Sequence, residues 1–294
     1  MKALLALLAL LCLGAAPSGT INGRVFDRVS SLVAGRYWDR TMHGLDWSAT
    51  TAQYRPDAIA APDSATLYKV INRMLARIGD SHVYARSAAQ LPPLPRRNDD
   101  TGWNRRARWA ADGVLLLAFD QFEPGDDRWL IHSLRSYRPR ALILDLRHNV
   151  GGDADILDRI AGQFVAKTTP LIRLSGRRTI EERTKGSDPQ SYRGPIAVLI
   201  GPRTTSAAEI LAAFLDDSGR AITIGERSKG AVTGGVDHRL PDGGRLTIAE
   251  YDIHLASGRR LEREGVTPRH IASEKPGGDA PLDEAIRLLS QPAA

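Results

Sequence analysis

Ser206 stands where a hydroxyl can do chemistry. The stretch 196–215, IAVLIGPRTTSAAEILAAFL, runs from an apolar strand through a polar turn at Gly201 and Pro202 into a helix. In that helix Ile210, Leu211, Phe214 and Leu215 recur at the spacing of one inward face. A serine in the first turn lies beside unpaired backbone N–H groups and the positive end of the helix dipole, where negative charge on an acyl oxygen is stabilised. The same residues also spell a capping box, Ser206-Ala207-Ala208-Glu209, with a carboxylate three residues after a cap serine. Capping requires nothing further from the chain. Nucleophilic chemistry requires a general base, an orienting acid and a second oxyanion donor, because a serine hydroxyl is a weak nucleophile by itself.

Of seven histidines, His82 is the best placed to act as that base. It follows Gly79-Asp80-Ser81 at the junction of a helical pattern and a short strand, so its ring can stand clear of the core; a structural or solvated histidine is the competing reading. The oxyanion donors are sought in LILDLRHNVGG at 142–152, where a buried strand enters a polar turn closed by Gly151 and Gly152. Glycine lets a backbone N–H approach a ligand closely. Paired with the N–H of Ala207, this turn can form an oxyanion hole, in which losing one donor costs a factor of about 10²–10³ in turnover. A plain tight turn or an anion-binding turn is the alternative. Asp145 and Arg147 read as braces of the loop.

Folded elements must bring these groups together. Val25, Phe26, Val29, Leu32 and Val33, then Leu67, Val70, Ile71, Met74 and Leu75, predict helices within 20–78. His43-Gly44-Leu45-Asp46-Trp47 reads as a turn, and Pro56 and Pro62 as punctuation. A short strand is expected at 83–85, then a polar, proline-bearing connection over 87–112, too short for a further domain. From Gly113, strands at 114–119, 141–146, 170–174, 196–200, 221–224 and 246–253 are interspersed with helices at 127–137, 155–164 and 281–289. This alternation predicts an α/β domain with a mostly parallel core sheet. The expected organisation is a signal peptide at 1–16, a helical subdomain at 20–86, a linker at 87–112 and an α/β catalytic core at 113–294.

Composition narrows the function classes. The chain has 294 residues, 42% of them hydrophobic and 25% charged, enough for one large domain or one domain with a smaller partner. Its net charge of +6 comes from arginines interleaved with acids. The densest basic patch, around Arg96-Arg97 and Arg105-Arg106, reads as a solvated face and not as a nucleic-acid surface. Met1-Lys2, an apolar run over 3–13 and Gly14-Ala15-Ala16 form a secretory signal too short to span a bilayer, so a periplasmic or secreted protein without stable membrane insertion is expected. The single cysteine, Cys12, lies inside that signal, so the mature protein is expected to use no disulfide, thiolate nucleophile or thiolate metal site. His238, His254 and His270 lack ligand partners at metal spacing, and neither H-E-x-x-H nor a nucleotide-binding loop occurs. The reading therefore includes no metal and no cofactor.

The order of five segments carries a resemblance. GDSH at 79–82, LILDLRHNVGG at 142–152, VLIGPRTTSAAEIL at 198–211, GRAITIGERSKG at 219–230 and LEREGVTP at 261–268 resemble the tail-specific or C-terminal processing protease family, peptidase family S41, which includes the tricorn protease core. HGLDW at 43–47 resembles the small helical bundle of the tricorn-like members. The resemblance implies a ClpP/crotonase-like α/β core with a small N-terminal helical bundle. In the processing-protease branch a lysine and a glutamine follow the serine at fixed spacing; here those positions hold Ala231 and Gly235, and the nearest lysine, Lys229, precedes the anchoring glycine. The chain is therefore similar to the tricorn-like branch, whose base is a histidine preceded by serine. Carried over, Ser206 is implied as nucleophile, His82 as base, Ser81 as a support of that network, and Glu262 as the acid, with Glu264 as its rival. Many relatives insert a PDZ domain where this chain has only 87–112, which implies that the core itself binds the peptide.

The implied activity is an exported serine peptidase, acting on a peptide or protein through an acyl-enzyme. The fold also includes retinoid-carrying relatives, so the competing readings are a non-catalytic binder of a peptide or hydrophobic ligand, and an esterase-type hydrolase.

Overall fold

The computed structural model describes residues 19–91, 105–185, 191–274 and 276–290. The expected signal at 1–16, with Cys12, and residues 92–104 of the expected linker lie outside the described residues. Three helices open the chain: α1 (Ile21–Arg36), α2 (Trp47–Ala60) and α3 (Ser64–Leu75). Each starts on a side-chain cap, from Thr20 to Gly23 N–H, Asp46 to Ala49 N–H and Asp63 to Thr66 N–H. The sequence reading has no counterpart to α2. Pro56 lies inside that helix and does not end it. Asp46, which looked like part of a turn, is its N-cap.

The strands and remaining helices follow as β1 (Tyr84–Arg86), β2 (Arg106–Ala111), β3 (Val114–Ala118), α4 (Asp126–Tyr137), β4 (Ala141–Asp145), α5 (Ala154–Gly162), β5 (Pro170–Gly176), β6 (Thr179–Arg183), β7 (Ile196–Ile200), α6 (Ala207–Asp217), β8 (Ile222–Gly225), β9 (Thr233–Arg239), β10 (Arg245–Leu255), β11 (His270–Ile271) and α7 (Ala280–Leu289). They form two sheets. One has the order β11-β8-β7-β4-β3-β2 and is parallel except for β2, which pairs antiparallel with β3. The other runs β1-β10-β5-β6, with β9 also on β10, and is antiparallel throughout. The mixed α/β architecture with a helical start is the one expected. The antiparallel sheet is not, and β2 occupies residues read as linker. Strands β6 and β9 alternate exposed and half-buried residues, with Thr233 alone buried, which gives no continuous apolar run to detect.

Strands β3, β4 and β7 are buried along their whole length. Period-two alternation sends their side chains to opposite faces. Leu115, Leu117, Leu142, Leu144 and Val198 join a cluster with Ile156, Ile160, Leu211 and Phe214 from α5 and α6. Val114, Leu116, Ile143, Ala197 and Leu199 join another with Ala285 and Leu289 from α7. A third core lies under the opening helices, where Phe26, Val29, Ile71 and Met74 pack with Leu246, Ile248 and Ala249 of β10. Parallel pairing aligns Ala118, Asp145 and Leu199, so the turns leaving β3, β4 and β7 gather at one carboxyl edge of the sheet. In open α/β sheets that edge is where ligand sites form.

Candidate active site

Ser206 leaves the turn after β7 with φ 58° and ψ −122°. Such a backbone costs about 1–3 kcal/mol for a non-glycine residue and persists only where its surroundings fix it. Those surroundings are explicit. Thr204 Oγ1 accepts the Gly201 N–H at 2.9 Å and donates to the Leu146 carbonyl at 2.8 Å, and the Thr205 N–H reaches the Asn149 carbonyl at 3.0 Å. The outline of a capping box is present, but the Ser206 hydroxyl makes no capping hydrogen bond. The Glu209 N–H goes instead to the Ser206 main-chain carbonyl at 2.9 Å. The hydroxyl stands on a strained strand-to-helix turn, and because a capping serine only accepts from the helix, its proton is not spent there, an arrangement like that of a nucleophile elbow.

The carboxylate three residues on has a larger role than a cap. Glu209 is fully buried and accepts four hydrogen bonds: Ser206 N–H at 3.0 Å, Ala231 N–H at 3.0 Å, Gly230 N–H at 2.6 Å and Ser228 Oγ at 2.6 Å. It joins the serine turn to the segment before β9. Only its cap relation to Ser206 is visible locally. The donors from 228–231 come from across the fold.

His82 sits in the turn between α3 and β1. Its Nδ1 lies 2.9 Å from Ser81 Oγ and 3.0 Å from Thr233 Oγ1. Ser81 Oγ donates to Glu262 Oε2 at 3.0 Å, and the same carboxylate, almost wholly buried, accepts the N–H groups of Val232 and Ser81 at 2.6 and 3.3 Å. Asp80 accepts the His82 N–H at 2.9 Å and Thr233 Oγ1 at 3.0 Å through Oδ1. Its Oδ2 accepts Tyr37 Oη at 3.1 Å and Trp38 Nε1 at 3.3 Å. Burial pushes the imidazole below its ordinary value, against the opposing pull of the Asp80, Glu262 and Glu209 carboxylates. Burial thus favours the neutral ring. Ala231, Val232 and Thr233 link the two groups in succession: the first holds Glu209, the second Glu262 and the third His82. Two extended steps span about 7 Å, so the holders of Ser206 and of His82 converge on one short piece of chain.

The glycine turn packs against the serine. A Cβ on Gly151 would lie 2.7 Å from Ser206 Cβ and 2.9 Å from the Ala207 nitrogen, and the residue has φ +86°. Its N–H, however, donates to Asn149 Oδ1 at 2.9 Å. That bond engages the N–H in which an oxyanion donor was expected, and what Gly151 shows here is close approach to Ser206. Among the described residues no hydrogen bond takes the N–H of Gly152 or of Ala207. Asn149, fully buried, also donates to the Phe119 carbonyl at 2.8 Å and organises the turn; nothing in its local sequence distinguished it.

The other singled-out residues separate clearly. Glu264 is exposed, whereas Glu262 is the carboxylate on Ser81. Ala231 stands buried at the position of the alternative lysine, and Lys229 is exposed. His148 is exposed. Asp145 and Arg147 form a two-bond ion pair at 2.9 and 2.7 Å, and Arg147 extends to Asp279 at 2.7 Å, bracing the turn after β4. Among the described residues no group of three or more His, Cys, Asp or Glu side chains could hold a metal, and no helix is long and apolar enough to cross a membrane.

Known proteins resemble this chain in sequence and in fold. A sequence model of peptidase family S41 matches residues 114–271, and one of the tricorn protease C1 domain matches residues 24–76. The carboxyl-terminal-processing protease of Picosynechococcus sp. is 28% identical over 185 residues, covering 61% of this chain and 44% of that protein. Carboxyl-terminal-processing peptidase 2 of Arabidopsis thaliana, a chloroplast protein, is 31% identical over 159 residues, covering 53% of this chain and 31% of that protein. The chain thus spans less than half the length of these curated relatives. Among solved structures, the photosystem II D1 C-terminal processing protease superposes with a TM-score of 0.66 at 16% identity over 92% of this chain and 98% of that one. The tricorn protease does so with a TM-score of 0.66 at 17% identity over 91% of this chain and 36% of that one. At these identities the superpositions speak for the fold alone, and the family match spans more than half of the sequence: the chain belongs to peptidase family S41.

Proposed function

We propose that the chain is a serine peptidase working through an acyl-enzyme, with Ser206 as nucleophile and His82 as general base. The observation that carries this reading is the proton count at His82. Ser81 Oγ commits its one proton to Glu262, so it can only accept from the imidazole, and the ring proton belongs on Nδ1. Nε2 is then the lone-pair nitrogen, ready to take the Ser206 proton and return it to the leaving amine. Glu262 acts through Ser81, holding the tautomer and stabilising the imidazolium as it forms. The free N–H groups of Ala207 and Gly152 serve the tetrahedral oxyanion, aided by the N-terminus of α6. The peptide is bound by the core, as an added strand on a sheet edge. The segment at 1–16 directs export, and the chain divides into a helical part and an α/β core that takes in β2.

A fluorophosphonate probe, which phosphonylates activated serines, tests the reading. It should label the protein, label Ser206→Ala not at all, and label His82→Ala far more slowly. Labelling that persists in Ser206→Ala overturns the assignment. No labelling of the folded wild type would favour the binding-protein reading. A digest of a peptide library then separates peptidase from esterase, and fractionation of the producing cell tests export.

A further inference from the structure

The Ser81–Glu262 pair is only one of two that meet the imidazole. We infer that Thr233 and Asp80 form a second orienting arm on His82, so that the Nδ1 proton is clamped between two hydroxyl–carboxylate pairs. This rests on the proposed role of His82 as base.

The argument is again one of counting protons. A threonine hydroxyl has one proton to donate and two lone pairs. Thr233 Oγ1 donates to Asp80 Oδ1 at 3.0 Å, so its contact with His82 Nδ1 at 3.0 Å can only be one in which it accepts. Ser81 Oγ is in the same state at 2.9 Å, with its own proton on Glu262. Two acceptors at nearly equal distance share one N–H, and neither can reverse without leaving a carboxylate oxygen short of a donor. Asp80 is itself fixed. Besides Thr233 it holds the His82 N–H, and Tyr37 Oη and Trp38 Nε1 complete its shell. His43 Nε2 lies 2.9 Å from the same tyrosine oxygen, with Asp39 3.1 Å from His43 Nδ1. The arm therefore draws on three separate parts of the chain: the end of α1, the turn before β1 and the start of β9. Thr233 and Asp80 are positioning residues. They act on the ring and touch no reacting atom.

Two parallel arms make a specific prediction of non-additivity. Removing one leaves the Nδ1 proton an acceptor; removing both frees the ring to adopt the other tautomer or to rotate. Ser81→Ala and Thr233→Val should each slow fluorophosphonate labelling about three- to tenfold, the range expected from one hydrogen bond. The double variant should fall about 10³–10⁴-fold, as when a catalytic histidine loses control of its tautomer. Thr233→Ser, which keeps the hydroxyl, should recover most of the rate that Thr233→Val loses. A second measurement is independent of activity. The ring ¹⁵N shifts of His82 should report the Nδ1–H tautomer in wild type and in both single variants, and a mixture only in the double variant. If the double variant labels no more slowly than Ser81→Ala, or if its ring shifts match those of Ser81→Ala, the second arm is refuted. Failure of Ser206 as nucleophile would appear differently, as labelling retained in Ser206→Ala with the tautomer pattern unaffected.

Discussion

Glu209→Gln tests whether the buried carboxylate of α6 holds the serine turn. The two side chains have nearly the same shape, so the change isolates charge and acceptor capacity. In the folded protein Oε1 accepts from Ser228 Oγ and Gly230 N–H, and Oε2 accepts from Ser206 N–H and Ala231 N–H. A glutamine has only one oxygen. Either orientation turns its NH₂ group toward one of those donor pairs. Ser228 relieves only part of the conflict: its oxygen accepts the Val266 N–H at 2.6 Å and has one lone pair left for the NH₂ group, while the Gly230 N–H has none. Two hydrogen bonds to a charged group are lost at about 1.5–3 kcal/mol each, or about 3–6 kcal/mol in all. Against a typical native stability of about 5–15 kcal/mol, that leaves a marginal fold. Chemical denaturation should show the midpoint falling sharply in Glu209→Gln, and fluorophosphonate labelling of the fraction still folded should be slowed because the Ser206 N–H has lost its anchor. A variant with wild-type stability and labelling rate would refute the idea that this carboxylate sets the turn.

Gly151→Ala should slow labelling of the folded fraction at least about a hundredfold. The new Cβ would meet Ser206 Cβ at 2.7 Å and the Ala207 nitrogen at 2.9 Å, and displacements near 1 Å at reacting groups cost about that factor; wild-type labelling in this variant would contradict the close approach. Because burial lowers the pKa of His82, the midpoint of the acid limb of the pH–labelling profile should fall below the ordinary histidine value of 6.5; a midpoint above 6.5 would contradict the burial argument. Burial, with Glu182 adding to it, raises the carboxyl of Asp158 to about 7 from an ordinary 3.8. The folded state then binds a proton that the unfolded state has released, and stability falls as pH rises from about 4 through 7. Asp158→Asn should therefore melt at a higher temperature than wild type at pH 8 and converge with it near pH 3, as calorimetry across that range would read.

The legible part of this site was the part built from contiguous chain. Ser206 announced itself through a strand, a turn and a helix within twenty residues, and the glycine turn through an apolar run ending in Gly151 and Gly152. Sequence order then pointed to His82 and Glu262. What stayed hidden depends on distant backbone. The four donors on Glu209 come partly from 228–231, and no local pattern marks a carboxylate for burial there. Thr233 and Asp80 meet only because β9 starts beside the turn before β1. Gly151 looked like a donor because its conformational freedom is visible in sequence, whereas the competing acceptor on Asn149 is not. The second sheet was missed for a related reason: β6 and β9 expose one face and only half-bury most of the other, so neither carries an apolar run.

Strand β10 belongs to two interiors at once. Leu246, Ile248 and Ala249 fill the core under the opening helices, while Ile253 and Leu255 on the same strand pack into the core of the large sheet. Trp38 adds a main-chain link to Ala249 at 3.0 Å. Neither half can be cut away without baring an apolar ribbon of the other. Heating should therefore produce a single cooperative transition, and a fragment beginning at β2 should come down as aggregate.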